Sequence, residues 1–438
     1  MLKTYDYENL PVVDIVNDMI FDAIKRKASD IHYDPTPEDL KVRLRIDGEL
    51  IEYAVVPKKV MKNLITRIKI IAGMNITETR LPQDGAIKRE IDGTTLDLRV
   101  SSLPISYGEK VVLRILDYSM SKVGLNNLGF SEHNLPLVEK LINLPNGIIL
   151  VTGATGSGKS TTVYSMLQIV NTISRNIITV EDPVEMKIDG INQVQVMSEI
   201  GLNFNTALRS ILRQDPDIVM IGEIRDDETA RIAVRASITG HLVLSTIHTN
   251  NSLNTIERLL DMEIERYLLG SALSGIISQR LTKKLCDKCK KQVAPTPYQE
   301  IIFNKALNRD VKAIYASVGC DECHNGYSGR TSIHEVLIVN QTIKDAIVSG
   351  TKKEDLRQLV YKGVGTVSLL QDGLEKVING LTSFDEILRI IDVEEDFGDD
   401  DQALKDAIIG KNIPPTPIKE ETLTGEVQNE KDYEILSL

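Results

Sequence analysis

Residues 147–170 read GIILVTGATGSGKSTTVYSMLQIV, and this stretch decides the fold. A short apolar run enters a glycine-rich turn, and a segment with helical character follows. Gly153-Ala154-Thr155-Gly156-Ser157-Gly158-Lys159-Ser160 matches GxxxxGK[ST] in full, between a strand and a helix as that motif requires. Glycines there let backbone N–H groups wrap a phosphate, and the helix N-terminus adds partial positive charge. Lys159 is placed to reach the β- and γ-phosphates. The Ser160 hydroxyl is placed to ligate Mg²⁺, and Thr161 completes the cradle. These residues make a nucleotide site. P-loop proteins include kinases, GTPases, helicases and motors, so the site alone does not name the reaction.

Working outward, NIITVEDP, DIVMIGE and HLVLSTIHT are further short, almost continuous apolar runs separated by helical segments. Strands buried on both faces have this composition, so a parallel sheet covered by helices is expected. Upstream, Val12, Ile15, Val16, Ile20 and Ile24 fall at helical spacing. KVRLRIDGEL and TTLDLRVSS alternate around Asp47-Gly48 and Asp92-Gly93 as antiparallel hairpins do, with the helical VMKNLITRIKIIAGM between them. A small α+β domain over residues 1–118 is expected, then a polar linker, 119–127, and an α/β domain over 128–391. Residues 392–438 form an acidic tail expected to be disordered.

The charge supports that division. The 438 residues carry a formal −12, of which residues 391–438, with 14 Asp/Glu and 4 Lys, hold −10, leaving the body at −2. With no Trp and 4% aromatics, base-stacking surfaces are not expected, and no nucleic-acid partner is expected. No apolar run approaches the ~18–20 residues of a membrane span, and the N-terminus lacks a signal-peptide core. A cytoplasmic protein that meets membranes only through partners is expected.

All four cysteines lie in two CxxC pairs, Cys286/Cys289 and Cys320/Cys323. Four thiolates are the set a tetrahedral structural Zn²⁺ needs, and a reducing cytoplasm disfavours disulfides. The 30 residues between the pairs exceed the common ribbon spacing, so the insertion (residues 283–330) must fold back.

Three further boxes follow the phosphate motif: ITVEDPVE (178–185), IVMIGEIRD (218–226) and TGHLVLSTIHT (239–249). Singly each is weak, since an acidic residue ending a strand is often a helix cap and a strand histidine is often structural. In this order, with ASDIH (28–32), RIDG (45–48), RLPQDG (80–85) and LRQDPD (212–217), they resemble the secretion ATPases of type II secretion and type IV pili over residues 10–390. The resemblance implies a RecA-like P-loop ATPase domain with a parallel sheet and a tetracysteine zinc element, preceded by a smaller α+β (PAS-like) domain. It makes Glu185 the general base and gives Glu223 the Mg²⁺, with Gly222 where many P-loop ATPases carry Asp. It also implies Arg99, Arg114, Arg209 and Arg213 as phosphate-contacting or inter-subunit arginines and His248 as a sensor of the γ-phosphate. His241 is open between a site role and a structural one.

The resemblance further implies a homohexameric ring, ATP with Mg²⁺ and Zn²⁺ as cofactors, and an inner-membrane platform protein through which pilin is handled indirectly. Its tetracysteine element is typical of assembly ATPases rather than retraction ATPases. The expected function is therefore type IV pilus assembly, with a type II pseudopilus motor, a retraction motor and a type IV secretion ATPase as alternatives. The chain departs from the family in three ways. An extra N-terminal docking domain is not expected ahead of ASDIH, Ala86 stands where relatives often have Arg, and the acidic tail has no recognised counterpart.

Overall fold

The computed structural model describes residues 2–91, 94–116 and 124–391. The Asp92-Gly93 turn, most of the 119–127 linker and the 392–438 tail lie outside the described residues.

The first half is built on α1 (Val12–Lys25), β1 (Asp30–Pro35), β2 (Asp39–Ile46), β3 (Glu49–Pro57), α2 (Lys58–Ile71), β4 (Gln83–Ile91), β5 (Thr94–Ile105) and β6 (Gly108–Leu116). The six strands form one antiparallel sheet in the order β3-β2-β1-β6-β5-β4. Alternation sets its two faces. Ile31, Tyr33, Leu98, Val100 and Leu113 point to one side and pack against Ile15, Val16 and Met19 of α1 and Leu64 and Ile68 of α2. The other face is polar. Lys69 of α2 is buried, and its charge is met by Glu109 at 2.7 Å and the Glu78 carbonyl at 2.7 Å.

The second half begins with α3 (Asn134–Ile142), β7 (Gly147–Thr152), α4 (Lys159–Val170), β8 (Ile177–Glu181), β9 (Asn192–Gln195), α5 (Phe204–Ile211), β10 (Ile218–Ile221), α6 (Asp227–Ile238), β11 (Leu242–Ile247), α7 (Ser252–Asp261) and α8 (Arg266–Ala272). There follow β12 (Leu273–Leu285), β13 (Lys291–Val293), α9 (Pro297–Leu307), β14 (Ile314–Ala316), β15 (Tyr327–Ile338), α10 (Gln341–Ser349), α11 (Lys353–Gln358), α12 (Leu369–Ile378) and α13 (Phe384–Ile390). Its sheet runs β15-β12-β7-β11-β10-β8-β9. Every residue of β7, β8, β10 and β11 is buried, which is why these strands read as apolar runs. Ile149 and Val151 of β7 face α3 and α4; Ile148 and Leu150 face the layer of α5 to α8.

The sheet is mixed rather than wholly parallel. Strand β15 pairs antiparallel with β12, whereas the other six strands run parallel to one another. The reason lies in the connection. The cysteine insertion lies at the tip of the β12–β15 ribbon, and a chain that turns back at a tip returns antiparallel, without the crossover a parallel strand requires. The small β13–β14 pair and α9 fold back within the insertion.

Candidate active site and cysteine cluster

The C-terminal ends of β7, β8, β10 and β11 carry the phosphate loop, the 182–185 segment, Gly222-Glu223 and His248 onto one edge of the sheet. Ligands collect at that edge in open α/β sheets, where strand ends and helix N-termini converge.

The loop holds its shape through internal contacts. Gly153 has φ +149°, and a Cβ there would lie 2.4 Å from the Gln279 carbonyl and 2.6 Å from Ser157 Oγ, so only glycine fits. Gln279, buried on β12, donates from Nε2 to the Ser157 carbonyl at 2.6 Å and accepts from Thr162 Oγ1 at 2.7 Å. Lys159, the first residue of α4, donates to the carbonyls of Gly153 (2.8 Å) and Ala154 (3.1 Å). Burial lowers its pKa, and the nearby Glu223 charge works against that shift.

Glu223 follows β10. Thr246 Oγ1 donates to the Gly222 carbonyl at 2.7 Å, and Gly222 N–H donates to the Val180 carbonyl at 2.8 Å. A side chain at 222 would lie 3.3 Å from that carbonyl, a tight contact. The Glu223 carboxylate accepts from Arg225 and lies 3.2 Å from His248 Nε2. Burial pushes its pKa up, but Arg225 and then His248 outweigh this and hold it below the usual carboxylate range. An ionised carboxylate of this kind is a hard oxygen ligand suited to Mg²⁺. Capping by Asp226 on α6 and Asn251 on α7 fixes the two segments that bear these groups.

Glu185 is exposed, and its backbone N–H donates to the Tyr164 hydroxyl of α4 at 3.3 Å, tying its segment to the helix that starts at the phosphate loop. Burial raises the Tyr164 pKa, and the charges of Glu181 and Glu185 raise it further. Glu181 is buried, and it accepts from Tyr164, from Thr179 Oγ1 at 2.5 Å and from Gln193 Nε2 at 3.1 Å. Its acceptor sites are largely filled, whereas Glu185 faces solvent.

The predicted arginines are distributed unequally. Arg99 reaches from β5 to the Val184 carbonyl at 3.4 Å, next to Glu185. Arg114 is directly opposite Arg99 on β6, and its Nε donates to Asp30 at 3.0 Å. Arg209 is on α5 and Arg213 just beyond its C-terminus, across the sheet from α4. Arg209 meets Glu228 at 2.8 Å and Arg213 meets the Arg209 carbonyl at 2.8 Å, so this chain does not bring them to its own phosphate loop. His241 immediately precedes β11, and its Nδ1 is 2.8 Å from the Ala236 carbonyl, at the end of the strand remote from His248. Sequence reasoning missed Gln279 and Arg225. Arg225 lies inside a box already singled out, but nothing local marks Gln279.

The cysteines form the second site. The four Sγ atoms lie within 4.8 Å of one another, with Cys286–Cys320 at 4.0 Å, Cys289–Cys323 at 3.7 Å and Cys320–Cys323 at 3.5 Å. All four thiols are free. A tetrahedron with metal–sulfur bonds of about 2.3 Å has edges of about 3.8 Å, so the cluster has the dimensions of a four-thiolate metal site. Lys288 and Glu322 pair across its two knuckles.

A family model described as "Type II/IV secretion system protein" matches residues 6–389. The type II secretion system ATPase E of Vibrio cholerae is 45% identical over 384 residues, 87% of this chain and 76% of that protein. The type IV pilus assembly ATPase PilB of Myxococcus xanthus is 46% identical over 385 residues, 87% of this chain and 68% of that protein. Among solved structures, the pilus retraction motor PilT with bound ADP aligns with a TM-score of 0.59 at 27% identity, covering 88% of this chain and 99% of that one. The Legionella pneumophila ATPase DotB shares the fold, with a TM-score of 0.67 at 22% identity, covering 89% of this chain and 98% of that one.

Proposed function

The chain belongs to the type II/IV secretion system protein family and is an ATPase, and from that premise we propose that it drives assembly of a type IV pilus. In this reading the first domain is the PAS-like module, with residues 1–118 and 128–391 as the two working bodies, and six copies form a ring beneath an inner-membrane platform protein. No helix among the described residues is long and apolar enough to cross a membrane, so the ring would reach the membrane through that partner.

The observation that carries the proposal is the convergence of Lys159, Glu223, His248 and Glu185 on one sheet edge, with Arg99 of the other domain reaching the same place. ATP with Mg²⁺ would bind at the phosphate loop. Lys159 would leave its two carbonyls for phosphate oxygens, and Ser160 with Glu223 would hold the metal. Glu185 would take the proton of the attacking water. Arg99 and Arg114 stand opposite each other as like charges, an arrangement that an anion between them relieves. Closure of the first domain on the γ-phosphate would then couple hydrolysis to domain movement. Arg209 and Arg213, exposed and remote in their own chain, fit a role toward the neighbouring subunit.

Within the family the cysteine cluster favours assembly over retraction. We assign it structural Zn²⁺, because four thiolates close the coordination sphere and leave no open position for chemistry. Deleting the gene and counting surface fibres by electron microscopy tests the function. Loss of fibres, restored by the parent but not by Lys159→Ala, is expected. Fibres that persist and no longer retract would contradict it.

A further inference from the structure

The polar face of the first domain has a concentration of positive charge that the proposed chemistry does not exhaust. One register row runs Arg99–Arg114–Asp30–Arg45 across β5, β6, β1 and β2. With Arg43 and Lys110, which share Asp34, the middle of this face has five cations against two carboxylates. At its margins Lys41 pairs with Glu52 and Lys88 with Asp97, Asp39 is turned to Thr36, and Asp84 lies on the edge strand. Arg114 remains 67% exposed and Lys41 47%.

The described chain ends beside the β3 edge of this sheet, next to the β2–β3 turn. Ile391 is buried next to α13, Arg280 binds the Ile390 carbonyl, and Arg389 Nη1 lies 3.6 Å from Glu49, the first residue of β3. From there the sequence runs Asp392-Val393-Glu394-Glu395-Asp396-Phe397-Gly398-Asp399-Asp400-Asp401. Strands are spaced about 4.8 Å, so Arg114 lies about 14 Å and Arg99 about 19 Å from β3 across the sheet. Residues three to ten positions beyond Ile391 reach about 10–33 Å at about 3.3 Å each. Allowing for the gap that the Arg389 side chain spans between the chain end and β3, the distal carboxylates of the run fall within reach of the two arginines. The lysines of the cysteine tip are a poorer target. Lys284 and Lys290 already pair with Asp287, and Lys288 pairs with Glu322.

We propose that the acidic segment Glu394–Asp401 docks on the Arg43/Arg45/Arg99/Arg114 face of its own chain and competes there with nucleotide phosphate, restraining hydrolysis. Tethering supplies an effective concentration in the millimolar range, enough for a weak, salt-sensitive contact to matter. The docking stands on charge and tether length alone; the restraint rests on the proposed role of Arg99 and Arg114.

The test uses the full chain. Zero-length carbodiimide coupling followed by mass spectrometry should join tail carboxylates to Lys41 or Lys110. The joins should lie within one chain when isotope-labelled and unlabelled protein are mixed, and they should fade at about 0.5 M salt. Joins only to Lys284, Lys288 or Lys290, joins between labelled and unlabelled chains, or none at all would overturn the docking. In parallel, the variant with Glu394, Glu395, Asp396, Asp399, Asp400 and Asp401 changed to Gln or Asn should show kcat/KM for ATP raised several-fold at low salt and equal to the parent at high salt. Expected joins with unchanged kcat/KM would keep the docking and remove the restraint, and with it the reading of the two arginines.

Discussion

Strand β12 supports two sites built on opposite terms. In its middle, Gln279 fastens the phosphate loop; at its end, Cys286 belongs to the cysteine cluster. The loop is shaped by the protein alone, through glycines at positive φ, a buried amide and a lysine held on two carbonyls. The cluster is four thiols packed at the distances of a four-thiolate metal site, and the Zn²⁺ proposed for it would add metal–sulfur bonds to that packing. A site whose ligand is consumed at each turnover must persist without it. A site whose ligand never leaves can delegate its stability to that ligand.

The largest expected effect separates the two directly. Lys159→Ala should lower ATP hydrolysis at least about 100-fold, the scale of losing one donor to a transition-state anion, with zinc content unchanged. If hydrolysis survives, the loop is not the phosphate site. Conversely, Cys286→Ser should lose bound zinc and lower the melting temperature by about 10 °C, the shift that several kcal/mol of lost metal binding gives a domain of this size. Nucleotide affinity should change far less. A parallel collapse of nucleotide binding would mean that the tip organises the loop through β12, which would blur the contrast.

Gln279→Leu sits between them. It leaves the Ser157 carbonyl and the Thr162 hydroxyl without a buried partner, a loss of about 1–3 kcal/mol. A roughly tenfold fall in kcat/KM with zinc retained is expected, and activity equal to the parent would show that the loop needs no support from β12. The smallest effect concerns β15, the partner of β12. His334 is fully buried there, stacked on Phe130 at 3.8 Å and next to the Gly129 backbone. Burial, and then the Lys376 charge, hold its pKa well below the ordinary value. Below about pH 6.5 the unfolded chain therefore binds a proton that the folded one refuses, and stability falls as the pH drops. His334→Phe should flatten that fall in thermal melts between pH 7 and pH 5; an unchanged slope would place the acid sensitivity elsewhere.

What was legible in the sequence follows the range of each interaction. The phosphate loop is a local signal, in which the glycines, the lysine and the flanking strand and helix all lie within 24 consecutive residues. The buried strands were equally plain, because burial on both faces leaves an apolar run. Gln279 was not, since it acts on residues more than 110 positions away and resembles any polar residue in a strand. The antiparallel course of β15 was hidden for a similar reason. Its direction is set by where the cysteine insertion turns, and composition does not encode that. The two histidines of the TGHLVLSTIHT box could have been separated in advance. They flank the six residues of β11, which at about 3.3 Å per residue puts them roughly 20 Å apart, at opposite edges of the sheet.

The most direct test of the central claim is the steady-state ATPase rate of the parent and Glu185→Gln, with mass and zinc content measured on the same samples. The account predicts a zinc-loaded hexamer whose hydrolysis is abolished by that single change while ATP still binds. Unchanged hydrolysis in Glu185→Gln would contradict the proposed base, and a zinc-free monomeric parent would contradict the assembly motor itself.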